Sequence, residues 1–272
     1  KWLKKMLRFG IPSMLGILLL VSFDMIDRLF LNYYFGFSDL GLYSIGRKVV
    51  AIISMALVVP FMGIWTPSMY RIANLDNHKE IFARILPLII FLFSFSSLTV
   101  SLFSPEIIRL LTTPIFYDSY RVVIWLSMAQ TAYVICSIMT SGINMVGRSE
   151  FGIPLNIATL IFGIISNIIL VPRFGIVGAA SATCITFMFQ AGIYYIVAQK
   201  LYYIPYQIVK TIVIVGATFI IYYITIFIKS MFITLYVHVI INIIVLLLFA
   251  FIAQRQLVNY TERQKIKDYI NL

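Results

Sequence analysis

The sequence predicts an all-α membrane protein, a polytopic bundle of about eight transmembrane helices. Hydrophobic residues make up 61% of the 272 residues and charged residues only 11%, and the mean hydropathy is +0.99. A water-soluble domain of this composition could not cover its apolar surface with polar side chains. Apolar runs of about 20 residues, the length of a helix that crosses a bilayer, recur along the whole chain. Lipid is therefore the solvent for most of the protein.

Short polar breaks separate these apolar runs. The first run is too long for a secretory signal peptide, and Asp24, Asp27 and Arg28 interrupt it where a signal needs an apolar centre. Because Lys1 stands where an initiator Met is expected, we expect the chain to begin inside a longer protein. The predicted spans are residues 9–35, 41–69, 82–103, 120–146, 152–171, 176–198, 208–228 and 231–253.

The net charge of +11 is explained by membrane topology rather than by nucleic-acid binding. If the N-terminus is cytoplasmic, 14 of the 18 basic residues at or between the span ends fall on the cytoplasmic side. This asymmetry is what the positive-inside rule predicts. The sequence therefore indicates a multi-pass protein of the cytoplasmic (inner) membrane, in contact with membrane lipids and with no nucleic-acid partner.

Ionised residues lie deep in the first predicted span. Asp24, Asp27 and Arg28 are spaced i, i+3 and i+4, so they share one face of a helix. Each such residue costs roughly 2.5–3.5 kcal/mol at the centre of a membrane helix, whereas each apolar neighbour contributes only about 0.3–0.6 kcal/mol. The first span therefore needs partners in the protein interior, where these charges can pair or bind a ligand.

The second predicted span carries Arg47 and Lys48. With the outside turn centred on Ser38, Lys48 and Arg28 are ten residues from it, at about 15 Å and near the bilayer midplane. One interpretation is that the acids Asp24 and Asp27 pair with Arg47 or Lys48 to neutralise the interior. The other is that the excess of cations leaves Arg28, Arg47 or Lys48 available to an anion such as a phosphate. The two interpretations are compatible.

Several spans carry small or polar residues along one face, which must contact protein or water. We expect these faces to surround a hydrated cavity, although packing between helices through hydrogen bonds is about as good an explanation for any single one. The candidate cavity-lining residues are Asn32, Gln130, Ser137, Ser141, Asn144, Asn156 and Asn167.

No pattern in the sequence indicates catalysis or a metal. Cys136 and Cys184 both fall inside predicted spans, where they are expected to be small buried apolar residues. A nucleotide-binding loop, metal-ligand spacing and a nucleophile with a nearby base are all missing from the sequence. We therefore expect a protein that is not an enzyme and that needs no cofactor.

A weak internal repeat joins two pairs of spans. Phe35-Gly36, followed by Gly41-Leu42-Tyr43-Ser44, is similar to Phe174-Gly175, followed by Gly178-Ala179-Ala180-Ser181. Each copy lies at a predicted outside turn. Internal repeats of this kind are frequent in transporter folds.

Several short motifs follow one another over roughly residues 8–200. They are Gly10-Ile11-Pro12, Asp27-Arg28-Leu29-Phe30-Leu31, Phe35-Gly36, Gly41-Leu42-Tyr43-Ser44, Lys48, Ser104-Pro105-Glu106-Ile107-Ile108-Arg109-Leu110-Leu111 with Tyr117, Val146-Gly147-Arg148-Ser149, residues 156–167, and Pro172 with residues 174–180. In order and spacing these motifs resemble the seventh to twelfth helices of the polysaccharide-exporter flippases of the multidrug/oligosaccharidyl-lipid/polysaccharide superfamily.

This resemblance implies two six-helix lobes around a central cavity that opens alternately to either side. The chain would supply the C-terminal lobe (residues 1–199), two further peripheral helices (200–253) and an amphipathic cytoplasmic tail (254–272), with the N-terminal lobe missing. The implied substrate is an oligosaccharide joined through pyrophosphate to a polyprenyl lipid, used in surface polysaccharide synthesis. The family's cationic cavity residues map onto Arg28, Arg47 and Lys48. A proton gradient, a sodium gradient or the membrane potential would drive transport.

Three other functions compete with this one. A lipid II flippase is the nearest in kind. A cation-coupled multidrug exporter of the same superfamily would use Asp24 and Asp27 to bind a cation, and the net cationic character argues against it. A membrane-embedded glycan ligase or glycosyltransferase would need larger loops than the break around residues 106–120, which holds only Glu106, Arg109 and Asp118 as charged residues.

The topology can be tested by cysteine labelling. We expect an impermeant thiol reagent on intact cells to modify a cysteine placed at Ser38 or Ser230, but not one placed at Ser149, because the basic residues put residues 147–151 in the cytoplasm. The opposite labelling pattern would reject this orientation.

Overall fold

The computed structural model describes the backbone of residues 2–231 and 235–257. Side chains are described for residues 23, 25–148, 150–229, 231 and 237–251. Residues 258–272 of the predicted amphipathic tail lie outside this part of the chain. Within the described backbone every regular element is helical.

Two long helical runs each contain a reversal of the chain. The first comprises Trp2–Ile53, a π-helical turn Ser54–Val58 and Val59–Ala73, and Gly36 divides it into α1 (residues 2–35) and α2 (37–73). The second is Gly152–Leu201, which Gly175 divides into α5 (152–174) and α6 (176–201). The other helices are α3 (His78–Leu111), α4 (Val123–Met145), α7 (Ile208–Ser230) and α8 (Leu235–Leu257), with 3₁₀ turns at Pro114–Val122 and Ser149–Phe151.

Glycine makes both reversals possible. Gly36 and Gly175 have φ angles of 77° and 55°, in the left-handed region that side chains with a Cβ rarely adopt. The chain turns back at each one, because Tyr43 contacts Asp27 across the first break. The two reversals in the predicted repeat therefore share the same backbone feature, a glycine with a positive φ angle. The predicted turn centre was wrong by two residues, since Ser38 lies in the first turn of α2.

With the two reversals counted, the number of helices agrees with the prediction of about eight. Five stretches are apolar and long enough to cross a membrane, and residues 237–251 form a shorter apolar helix. Because two of the five stretches, Met25–Ala73 and Gly152–Leu201, are hairpins, the five stretches contain seven helices, and the shorter apolar helix is the eighth. The predicted all-α polytopic bundle is confirmed. The helices exceed the predicted spans by a few residues at most ends, because apolar residues mark only the part that lies in hydrocarbon.

Helix α4 lies at the centre of the bundle, and 15 of its 23 residues are buried. A ladder of hydroxyl groups joins it to α3. The Ser97 hydroxyl donates to the Ser127 carbonyl oxygen at 3.0 Å and lies 3.1 Å from the Thr131 hydroxyl, and the hydroxyls of Ser101 and Ser127 are also 3.1 Å apart. In lipid, small hydroxyl residues let helices approach closely and satisfy one another. The hydroxyl groups of these residues are therefore used in packing between α3 and α4.

Helices α7 and α8 pack against α3, and their other faces carry exposed apolar side chains such as Ile224, Phe227 and Leu247. One buried ion pair ties α7 to α3. Lys229 Nζ lies 3.0 Å from Glu106 Oε1 and donates to the Leu102 carbonyl oxygen at 3.2 Å. Both residues lie within helices rather than in loops. Glu106 is five residues before the end of α3, and Lys229 is in the last turn of α7 and only 6% exposed.

Breaking this pair should destabilise the protein. Lys229→Met leaves the Glu106 carboxylate largely buried without its cation, and we expect a loss of about 3 kcal/mol in the free energy of unfolding. Adding Glu106→Leu should recover much of that loss, because two apolar side chains can replace a buried pair. Thermal unfolding in detergent measures both effects, with the exposed Lys200→Met as control. An unchanged melting temperature in Lys229→Met would contradict the structural role.

Candidate functional site

A cavity of about 450 Å³ lies between α1, α2, α4 and α6. Apolar side chains form part of its wall. The polar and charged residues that line it are Arg28, Arg47, Ser54, Gln130, Tyr133 and Thr183. It therefore joins two of the three predicted phosphate-binding cations to one predicted cavity residue, Gln130.

Asp27 is the anionic anchor beside this cavity. Its carboxylate is buried and lies 3.2 Å from Arg47 Nη1, and it accepts hydrogen bonds from the Tyr43 hydroxyl and, at 3.3 Å, from Thr183 Oγ1. These contacts connect α1, α2 and α6 through one side chain. Of the cations near it in the sequence, Asp27 pairs with Arg47 and not with the adjacent Arg28. Residues adjacent in a helix point in different directions, so the acid faces the hairpin partner instead.

Arg28 faces the cavity, and its side chain is exposed there. It makes no ion pair with the side chains that the structure describes, whereas Arg47 pairs with Asp27. The predicted charge partner Asp24, one turn before Arg28, has a side chain outside the described residues. Counted from the reversal at Gly36, Arg28 is eight residues away, or about 12 Å along the helix.

The third predicted cation, Lys48, is exposed and does not line this cavity. Because the turn lies at Gly36, Lys48 is four residues farther from it than Arg28, so the two are not at the predicted common depth. Arg47, one residue earlier in α2, takes the cavity position instead. A shift of one residue rotates a helical side chain by about 100°, which separates these neighbours.

A second polar cavity, of about 230 Å³, holds three other predicted residues: Ser137, Asn144 and Asn156. Tyr133 lines both cavities, so they adjoin along one face of α4. Gln130 is nearest the start of α4 and Asn144 nearest its end, a separation of about 21 Å. The second cavity therefore lies towards the end of α4 that the basic residues predict to be cytoplasmic.

The remaining predicted cavity residues have other positions. Asn167 lines a small crevice next to Asp27 and donates from Nδ2 to the Gly163 carbonyl oxygen at 2.9 Å. Ser141 is buried and its hydroxyl accepts a hydrogen bond from the Trp65 indole at 3.2 Å. Asn32 is exposed and lines neither of the two polar cavities.

Sequence reasoning missed Tyr43 as the partner of Asp27. The signal was present, since Asp27 is nine residues before Gly36 and Tyr43 seven after it, nearly opposite positions in a hairpin. Thr183 lies on α6, and nothing in the sequence places that helix against the first hairpin.

The eight-pass helical bundle and its cationic cavity define a polytopic membrane protein with an internal polar site. Residues 1–121 match the family of polysaccharide biosynthesis proteins. A search of curated proteins found no match.

A solved structure similar to this fold is the lipid II flippase MurJ in an inward closed conformation. The TM-score is 0.70 and the sequences are 17% identical. The match covers 94% of this chain and 56% of the MurJ chain, so this protein spans little more than half the length of that structure. The two matches confirm the predicted resemblance to the polysaccharide-exporter flippases.

The two arginines of the cavity should differ in their effect on stability. Arg47→Met leaves Asp27 buried without its cation, and we expect the free energy of unfolding to fall by about 3 kcal/mol. Arg28→Met removes an exposed cation and should change it by no more than about 0.5 kcal/mol. Thermal unfolding of the two purified variants in the same detergent compares them. Equal losses would show that both arginines have the same structural role.

Proposed function

We propose that this chain forms the second lobe of a flippase that moves polyprenyl-pyrophosphate-linked oligosaccharides across the cytoplasmic membrane for surface polysaccharide synthesis. The observation that carries the proposal is the position of Arg28, an exposed cation on a cavity inside the membrane bundle. A charge is expensive there and needs a partner or a use. The similarity of fold to MurJ and the family match over residues 1–121 support the same class of substrate.

The different environments of Arg28 and Arg47 favour an anionic substrate. Asp27 and Arg47 form a neutral ion pair. Among the described residues that line the cavity, Arg28 therefore gives the lining a net positive charge. A guanidinium offers a planar fork of donors that can hold a phosphate through two hydrogen bonds. Gln130 and Thr183 add neutral groups around the same space. In this scheme Arg28 contacts the pyrophosphate and Arg47 positions the helices, with Lys48 outside the cavity.

The lipid part of the substrate has a matching surface. An apolar cavity of about 510 Å³ lies between α4, α6 and α7, lined by residues such as Ile135, Met188 and Phe219. It opens to the surface of the bundle at Ile212, which is exposed. In our proposal this cavity offers a contact for the polyprenyl chain, on a different face of α4 from the polar cavity.

The contacts of Asp27 weigh against a cation-coupled drug exporter. Such a protein needs an intramembrane carboxylate that can exchange a cation, and one oxygen of Asp27, Oδ2, is already engaged by Arg47, Tyr43 and Thr183, while Oδ1 has no partner among the described residues. In our proposal the protein acts as a transporter without a cofactor, and an ion gradient or the membrane potential drives alternation between inside-open and outside-open states. The partners are the lipid-linked substrate, membrane lipids and an N-terminal lobe.

A second candidate is transport of lipid II, which is favoured by the similarity of fold to MurJ. Expression of the full-length protein in cells depleted of their lipid II flippase tests this candidate. Restored growth would support it, and failure to grow together with restored export in a polysaccharide-flippase mutant would support the polysaccharide substrate.

Substitution of Arg28 tests the proposed role directly. In the full-length protein we expect Arg28→Ala to lower surface polysaccharide about 10- to 100-fold, as loss of a charge-assisted hydrogen bond predicts. Arg28→Lys should retain part of the export, because it keeps the charge but loses the planar fork.

The control is Arg121→Ala, which removes an exposed arginine outside the cavity. Surface polysaccharide is measured together with the amount of protein in the membrane. Full export by Arg28→Ala at normal protein level would exclude the pyrophosphate role.

A further inference from the structure

Gln190 lines the second polar cavity and carries a buried acceptor that none of the described residues satisfies. The residue is only 4% exposed, and its Nε2 donates to Asn156 Oδ1 at 3.1 Å. Its carbonyl oxygen, Oε1, has no partner among the described residues. A buried amide oxygen without a donor costs about 1–3 kcal/mol, and a ligand or water in the adjoining cavity that donates to it after a small side-chain movement would remove this cost.

The neighbouring polar groups hold Gln190 in place. Asn156 Oδ1 also accepts a hydrogen bond from the Tyr194 hydroxyl at 2.9 Å, so one oxygen receives two donors and fixes both side chains. Asn156 lies on α5, and Gln190 and Tyr194 lie on α6. The side chain of Gln190 is therefore held beside the cavity by a network of hydrogen bonds.

The chemistry of this cavity differs from that of the Arg28 cavity. The residues that line it are all uncharged, and they combine amides, hydroxyls and aromatic rings. Trp65 supplies one ring, which Phe61 and Phe82 pack against and the bond to Ser141 orients. Amides and hydroxyls beside an aromatic face suit a ligand with many hydroxyl groups and apolar C–H faces, and they bring no positive charge to a phosphate.

We propose that this cavity is a subsite for a neutral sugar residue of the lipid-linked substrate, with Gln190 Oε1 accepting a hydrogen bond from a sugar hydroxyl or amide N–H. The proposal rests on the proposed function. The cavity adjoins the Arg28 cavity at Tyr133, so a sugar attached to a pyrophosphate near Arg28 can occupy it. Gln190 and Thr140 would then help to determine which sugar is accepted.

Binding of two carriers to the purified full-length protein tests this subsite. The probes are polyprenyl pyrophosphate without a sugar and the same carrier bearing one N-acetylhexosamine or one hexose. We expect the wild-type protein to bind at least one of the sugar-bearing carriers more tightly than the bare one. Gln190→Met should remove that advantage. It should lower the affinity for the sugar-bearing carrier roughly 3- to 10-fold and leave the affinity for the bare carrier unchanged.

A matched pair of threonine variants guards against a simple loss of folding. The hydroxyls of Thr140 and Thr99 each donate to the carbonyl oxygen four residues earlier, at 2.8 Å, but only Thr140 lines the cavity. Replacement of either by Val keeps the shape and removes the hydroxyl. Thr140→Val should lower the affinity for the sugar-bearing carrier about 2- to 5-fold, and Thr99→Val should leave this affinity unchanged.

The outcomes separate this proposal from the proposed function. If the wild-type protein binds both carriers equally, or if Gln190→Met and Thr140→Val weaken both alike, the cavity holds only water and the sugar subsite is excluded while pyrophosphate binding stands. If Arg28→Ala weakens both carriers and Gln190→Met only the sugar-bearing one, both proposals are supported. If the wild-type protein binds neither carrier, both are overturned.

Discussion

The arrangement of the first hairpin depends on one buried carboxylate. Asp27 cannot face lipid, so its contacts with Arg47, Tyr43 and Thr183 determine how α1, α2 and α6 meet. The same contacts neutralise Arg47. Because Arg47 is paired in this way, the cation with an exposed side chain on the cavity is Arg28, and the electrostatic character of the site follows from a packing requirement.

Two polar cavities of different chemistry follow each other along α4. The first contains arginines and the second only uncharged groups, and Tyr133 separates them. A substrate with a charged linkage next to neutral sugars has the same order of chemistry along its length. Polar residues elsewhere on α4, such as Ser127 and Thr131, are used up in contacts with α3, so polarity alone does not mark a cavity.

The structure also shows how α7 and α8 are attached to the other helices. Apolar contacts between helices contribute little specificity in lipid, since a lipid tail is as apolar as a leucine. The Lys229–Glu106 pair, together with the hydrogen bond from Asn242 Nδ2 to the Leu102 carbonyl oxygen at 3.1 Å, gives α7 and α8 a defined position on α3.

The sequence by itself determined the eight passes and the positions of the two reversals to within two residues. The thickness of the bilayer sets the length of each apolar span, and only glycine easily adopts the backbone conformation of Gly36 and Gly175. It also indicated that Arg28 and Arg47 lie inside the bundle. Only the tertiary structure decided which of them pairs with Asp27, that Lys48 lies outside the cavity, and that Gln190 has an unsatisfied oxygen. Those outcomes depend on helix rotation and on contacts between spans more than 150 residues apart, such as Asp27 with Thr183, which no local pattern encodes.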